Sequence, residues 1–317
     1  MPGTGSGGGT FPQRLSQTGL FTDTANLTPN AGLIEYNINA EFWSDGARKR
    51  RWIGIPNNTR IVFSALGNWA FPPGSVTVKH FEITLADGST RRLETRVFVN
   101  QASGWQGYTY KWNSAGTDAD LLTTAQTEVL TVAGGATQTY EWPSRAACAT
   151  CHSAPAGNVL GLRTAEMNRV FAYPAASDNE LRTLNHIGLF NIDIGSATQY
   201  AVLANPLDTS ASLSGRARAY LESNCSQCHR PGGPTPVNMD LRAATAIDST
   251  NTVNVAPTDG DLGLANARRI APGSKESSVL WERMRRLDPF RMPNIASHVV
   301  DQNGVTLIGQ WIDAGAP

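Results

Sequence analysis

The stretch Val76-Thr77-Val78-Lys79-His80-Phe81-Glu82-Ile83-Thr84-Leu85, then Asp87-Gly88, then Arg92-Leu93-Glu94-Thr95-Arg96-Val97-Phe98-Val99, decides the fold of the first half of this chain. Both arms are rich in β-branched and aromatic residues and alternate in polarity, which suits a pleated, half-buried surface. Asp-Gly between them supplies the positive φ that a tight hairpin needs. His80 falls on the strand face of Val76 and Val78, so it is expected to be satisfied within the sheet. Further on, Tyr108, Tyr110 and Trp112 keep the period of two, and residues 128–132 and 137–142 give two more short strands. Residues 11–143 are therefore predicted to form an antiparallel β-sandwich or barrel-like domain.

The pattern changes at Pro143. Apolar residues then recur at helical spacing, predicting helices over 145–152, 164–171, 179–190, 213–224, 278–287 and 302–313. Thr164 and Ser177 or Asp178 are candidate N-caps. In the 213–224 segment Leu213, Ala217 and Tyr220 or Leu221 share one face. In the last segment Val305, Ile308 and Ile312 do, with Trp311 alongside.

Two of these helices run into the same short pattern, Cys148-Ala149-Thr150-Cys151-His152 and Cys225-Ser226-Gln227-Cys228-His229, and the two copies use all four cysteines of the chain. C-x-x-C-H is the attachment signature of c-type haem. Two thiols three positions apart add to the two vinyl groups of one porphyrin, and the adjacent histidine reaches the iron from the same side. A thioredoxin-like motif would sit at a strand-to-helix junction, and no βαβ unit repeats here. A structural zinc on two C-x-x-C pairs would give no reason for the histidine after each, and the gap from Cys151 to Cys225 is long for a zinc ribbon. The prediction is two covalently bound haem c groups. Cys148, Cys151, Cys225 and Cys228 form the thioethers, and His152 and His229 are the proximal iron ligands.

The domain reading follows. Residues 1–10, mostly Gly, Thr and Ser, are a flexible leader. The β-domain covers 11–143, and two small all-α cytochrome c-type haem domains cover 144–208 and 209–317, each stabilised largely by its porphyrin.

Distal ligands are the next question. For the second haem, Met292 in Arg291-Met292-Pro293-Asn294 is the candidate, with a gap-filling core methionine as the bland reading. His298 is its rival, Met284 reads as core, and Met239 as packing near the porphyrin edge. For the first haem the candidates are His186, in a mainly apolar Leu184-to-Phe190 stretch, Met167 and, from the β-domain, His80. With His186 and Met292 as ligands, one centre is bis-histidine and the other histidine–methionine. Methionine raises the potential, so electrons would enter at the first haem and rest on the second.

Lys plus Arg number 26 and Asp plus Glu 26, so no net field draws nucleic acid or an anionic membrane to the chain. No apolar run is long enough to span a bilayer. Arg48-Lys49-Arg50-Arg51 reads as a solvated loop face or as a docking patch for an acidic redox partner. Arg163, Arg216, Arg268, Arg269 and Arg285 are candidates for pairing with haem propionates. Thioether attachment follows export, so a periplasmic or extracellular location is expected, the Gly/Ser-rich start also suiting a tether behind a lipid anchor.

Taken with Phe42-Trp43-Ser44-Asp45-Gly46-Ala47, Phe71-Pro72-Pro73-Gly74-Ser75-Val76, Leu93-Glu94-Thr95-Arg96, Asn238-Met239-Asp240-Leu241-Arg242 and Arg291-Met292-Pro293, the two motifs give nearly the whole chain a resemblance. It resembles a group of secreted bacterial dihaem c-type cytochromes with an N-terminal β-domain. The resemblance supports Met292 as ligand. Members are sometimes associated with periplasmic sugar-dehydrogenase-like proteins, which implies a role as electron acceptor. The expected function is electron transfer rather than catalysis, with a dehydrogenase or another cytochrome as partner and self-assembly into a filament as a variant. The alternatives are a dihaem peroxidase, which needs an open distal site and acid–base groups, and a glycan- or surface-binding β-domain carrying a redox module. The latter would use Trp105, Tyr108, Tyr110 and Trp112.

Overall fold

Asp87 and Gly88 turn the chain between two long antiparallel strands. Gly88 takes a φ of +81°, and the Asp87 carboxylate accepts the backbone N–H of Ser89 at 2.9 Å. In the computed structural model, which describes residues 11–295 and 297–317, these strands are the centre of the largest sheet. The leader expected over residues 1–10 lies outside the described residues.

In chain order the strands of the first part are β1 (Phe21–Asp23), β2 (Thr28–Pro29), β3 (Ile34–Tyr36), β4 (Arg48–Gly54), β5 (Val76–Thr84), β6 (Thr90–Gln101), β7 (Gly104–Trp112), β8 (Ala119–Leu121), β9 (Gln126–Thr131) and β10 (Thr137–Trp142). After them come α1 (Arg145–Cys151), α2 (Thr164–Met167), β11 (Val170–Ala172), β12 (Ser177–Asn179), α3 (Glu180–His186), α4 (Leu213–Asn224), α5 (Val279–Met284) and α6 (Gln302–Asp313). β3 to β8 form one six-stranded antiparallel sheet in sequence order, and β1–β2, β9–β10 and β11–β12 are two-stranded.

The described residues divide into two compact units. The first holds residues 11–37, Ala47–Ala149 and Leu162–Ala201, and the second Ile38–Gly46, Thr150–Gly161 and Val202–Pro317. In the first unit the register pairs Val78 with Val97 and Val76 with Val99. These residues form one core with Trp52, Tyr110 and Trp112, joined by Leu15, Leu20, Phe21, Leu27 and Leu33 from the N-terminal stretch. A second cluster packs Phe81, Ile83 and Leu93 against Leu130, Tyr140 and Trp142. His80 is fully buried in β5, its Nδ1 3.0 Å from Thr95 Oγ1 and its ring edge-on to Trp112.

The basic run at 48–51 is neither a loop nor an open patch: it begins strand β4. Arg50 forks onto Glu35 through two bonds of 2.8 Å and lies over Trp52, and Lys49 lies over Phe81. Arg51 is buried and donates to Asn37 Oδ1 at 2.6 Å. The apolar stems of these side chains explain how a charged run enters a sheet.

The predicted pair of small all-α cytochrome domains is not found. Sheet dominates, the six helices are short, and no two such domains are evident among the described residues. The 144–208 segment shows why. Its periodicity over 164–171 and 179–190 gives only a four-residue α2 and a seven-residue α3, and between them β11 pairs with β12. Asn179, rather than Ser177 or Asp178, caps α3 by accepting the N–H of Arg182. The segment is also shared between the two units and forms no domain of its own.

In the second unit, α4 and α6 supply most of the regular structure, and long loops supply the rest. Ser212 caps α4 by accepting the Gly215 N–H, and Asp301 caps α6 by accepting that of Gly304. Ala217, Tyr220 and Leu221 of α4 pack with Val305, Ile308, Trp311 and Ile312 of α6 and with Leu241, Ile270 and Met284. The approach is close at Gly304, where a Cβ would stand 2.3 Å from the Tyr220 ring. No described helix is long and apolar enough to cross a membrane.

Candidate functional site

Helix α4 ends by delivering Cys225, whose N–H still bonds the Leu221 carbonyl at 3.0 Å. The chain then continues in a tight turn, Cys228 N–H and His229 N–H both donating to the Cys225 carbonyl at 3.1 and 2.9 Å. That turn brings the two thiols and the imidazole into the wall of one cavity of about 350 Å³ in the second unit, a size within the range of about 300–1,000 Å³ that suits small-molecule and cofactor sites. Gly233 is required for the exit: a Cβ there would stand 2.1 Å from the Cys228 carbonyl oxygen.

Met292 stands in the wall of the same cavity. Its N–H donates to the Arg283 carbonyl at 2.9 Å, tying its loop to the end of α5. Met284 and Met239 also line the cavity, the first as a member of the unit's core and the second packed against it. His298 lies in the loop whose Ser297, Val299 and Val300 line the cavity, and its own backbone N–H is held by Asp45.

Burial, with the charges of Arg283 and Arg269, pushes the His229 imidazole down to about 4, so it is neutral at neutral pH and can donate its lone pair. Its Nδ1 is buried without a hydrogen-bond partner. Burial pushes the Cys225 thiol up to about 12, with Cys228 adding to the rise. Cys228 moves the other way, because its sulfur is hydrogen-bonded to Cys151. The two motifs therefore meet in this unit, at their second cysteines.

The first motif lies on α1 and just beyond it. Cys148 is buried in the first unit, where desolvation raises its thiol against the opposing charge of Arg96. Cys151 and His152 belong to the second unit. His152 Nδ1 is 2.6 Å from the Asn158 carbonyl, which fixes the ring proton on Nδ1 and makes Nε2 the basic nitrogen. Its two candidate distal partners are in the first unit: Met167 is fully buried on α2, and His186 is exposed at the end of α3, with Leu184 and Leu189 turned inward around it.

Residues that sequence reasoning passed over also line the cavity. Arg283 and Arg286 of the Trp-Glu-Arg-Met-Arg-Arg stretch do so, the first donating to the carbonyls of Asp259 and Phe290 and the second paired with Asp288 and Glu282; Arg269, one of the expected propionate partners, is committed to the carbonyls of Asn238 and Asn251. The helical offset of Arg283 from Val279, also a lining residue, was the available signal. Phe42 and Trp43 line it too, although they come from the short 38–46 segment, far away in sequence. The Trp43 indole N–H donates to the Val299 carbonyl at 2.9 Å, and its backbone N–H to Asn224 Oδ1 at 2.7 Å. No local pattern announces such a contact.

Among the described residues, no three of His, Cys, Asp and Glu are placed as a metal-holding group. A haem iron, held by four porphyrin nitrogens, asks the protein only for axial side chains. The cavity residues fit such a group: paired cysteines and a neutral histidine on one turn, and a methionine on the wall. No family model matches the chain, and neither a curated protein nor a solved structure does.

Proposed function

We propose that this chain is a dihaem c-type cytochrome of the secreted bacterial group it resembles, carrying electrons between a donor and an acceptor in the periplasm or outside the cell. The observation that carries the reading is the convergence of Cys225, Cys228, His229 and Met292 on one cavity. A haem bound there would supply a one-electron carrier; the rest is the work of the chain. Cys225 and Cys228 hold the porphyrin by thioether bonds, His229 offers a neutral imidazole to the iron, and Met292 is the distal ligand that raises the potential.

For the first haem, Cys148 and Cys151 form the thioethers and His152, oriented by Asn158, is the proximal ligand. The partner is another redox protein, a dehydrogenase or a second cytochrome, or another copy of the chain in a filament.

A pyridine haemochrome spectrum on denatured protein, scaled to protein concentration, tests this. Two covalent c-type haems per chain are expected, and Cys225→Ala with Cys228→Ala should leave one. Exported protein without covalent haem would overturn the reading.

A further inference from the structure

We propose that one face of the six-stranded sheet is an oxyanion site, in which Arg51, Lys79 and Arg96, with the hydroxyl of Tyr36, bind a ligand carrying two carboxylates. The site lies wholly in the first unit, and only one of the two ligand sources below rests on the dihaem reading.

Register puts the three cations side by side. Tyr36 pairs with Arg51, Arg51 with Lys79, Lys79 with Arg96 and Arg96 with Thr109, one row across β3 to β7. Residues directly opposite share a face, and this face is the one turned away from the Val76, Val78, Val97 and Val99 core. Like charges directly opposite destabilise a sheet, and here they occur twice in succession. The next row is Lys49, Phe81, Glu94 and Lys111, which brings more cation than carboxylate. Glu94 is already claimed. Arg96 forks onto it through Nε and Nη2 at 2.9 and 2.6 Å, and the Tyr140 hydroxyl donates to it at 2.7 Å. Glu180 of α3 stands at the Tyr36 end, where it accepts the Asn37 N–H at 2.7 Å. Burial raises its carboxyl to about 8, so it adds no charge at neutral pH.

The row is also sunk into the unit. Tyr36 and Arg51 are buried, and Lys79 and Arg96 keep part of their surface. The buried Tyr36 hydroxyl has no hydrogen-bond partner, and desolvation holds its proton on. An orphaned donor and a row of like charges each cost stability, and an oxyanion answers both. A guanidinium takes a carboxylate bidentately and an ammonium acts as a point charge. Arg51 and Arg96 stand two strand spacings apart, about 9–10 Å, with Lys79 between them. Such a row suits a carboxylate at each end of one ligand. Cys148 lies within reach of the charges of Arg96 and Glu94, so on the dihaem reading the first haem's propionates are one source. A free aliphatic dicarboxylate is the other.

The test uses the full chain with its haem content counted first. Lys79→Gln removes a half-buried member of the row, and Arg48→Gln is the control, an exposed cation paired with Glu82 on the sheet's other face. Calorimetric titration with glutarate reads the free ligand. One-to-one binding by wild type and Arg48→Gln, weakened about tenfold by Lys79→Gln, would assign the site to a free dicarboxylate. Resonance Raman and potentiometry read the propionates. No glutarate binding, with both haems retained and Lys79→Gln alone shifting the propionate bending band and potential of one haem, would assign it to the porphyrin. No glutarate binding together with wild-type propionate bands and potentials in Lys79→Gln would overturn the site while leaving the dihaem reading intact. In protein without covalent haem, which overturns that reading, failure to bind glutarate would overturn the site as well.

Discussion

The carboxylate of Asp45 accepts the backbone N–H of His298, at 2.9 and 3.0 Å, and Val299 N–H donates to the same carboxylate at 2.9 Å. Asp45 is buried, and burial raises its carboxyl above the usual range against the pull of these two donors. With the Trp43 indole on the Val299 carbonyl, the 38–46 segment clasps the loop that runs from Met292 to α6.

Replacing Asp45 by Ala strands two backbone donors, each costing about 1–3 kcal/mol if it stays buried. The expected outcome is a lower melting temperature together with a weaker methionine–iron bond, since the clasped loop carries Met292. Thermal melts report the first effect. Loss of the red methionine-to-ferric charge-transfer band, while the haem stays attached, reports the second. An unchanged band would show that the clasp does not position Met292.

Met292 is distinguished from its neighbours by substitution. Met292→His should lower the potential of the second haem and abolish the methionine band, because imidazole replaces a thioether. Met239→Leu and Met284→Leu should keep the band and cost less than about 1.5 kcal/mol each, as volume-conserving swaps do. Spectra and potentiometric titration of the three variants decide which sulfur is the ligand.

How far the sequence could be read follows from the range of the interactions involved. The hairpin of β5 and β6 and the helices at Leu213–Asn224 and Gln302–Asp313 were legible because their signals are local: alternation, an Asp-Gly turn, and 3.6-residue periodicity. The all-α expectation failed where periodicity was short. The helices expected over 164–171 and 179–190 take in Val170, Phe171 and Asn179, which pair as strands instead. At the site, the turn carrying Cys225, Cys228 and His229 was written in the motif. Trp43 and Asp45 were not, since each is brought in by a contact that no spacing encodes, and Arg283 was signalled only by its helical offset from Val279. The placing of Cys151 beside Cys228 in one cavity wall is of the same kind.

The crossing of α4 and α6 depends on a missing side chain. A methyl group at Gly304 would meet the Tyr220 Cζ and Oη at 2.3 Å, inside any permitted contact. Gly304→Ala should therefore destabilise the second unit by about 1–3 kcal/mol, the usual cost of overpacking. Adding Tyr220→Leu should recover part of that loss, and a double-mutant cycle by denaturant unfolding measures the coupling. Additive effects would place the strain elsewhere.

Glu180 makes the first unit's stability depend on pH. It is fully buried on α3, one oxygen accepting the Asn37 N–H at 2.7 Å and the other unpartnered. Desolvation pushes its carboxyl up to about 8, against the lowering effects of the Asn37 N–H, Arg169 and Arg51. In the unfolded chain it releases its proton near 4.5. Between those values the folded state holds the extra proton, so this group's contribution falls as pH rises through the window. At about 1.4 kcal/mol per pKa unit, the change amounts to a few kcal/mol. His80, buried and depressed, acts in the opposite sense, its contribution being lost as pH falls through its folded value. The clean measurement is therefore the difference between wild type and Glu180→Gln in denaturant unfolding at pH 5 and pH 8. The variant should gain relative stability toward pH 8, and an identical pH slope for the two proteins would mean that Glu180 is ionised in the fold.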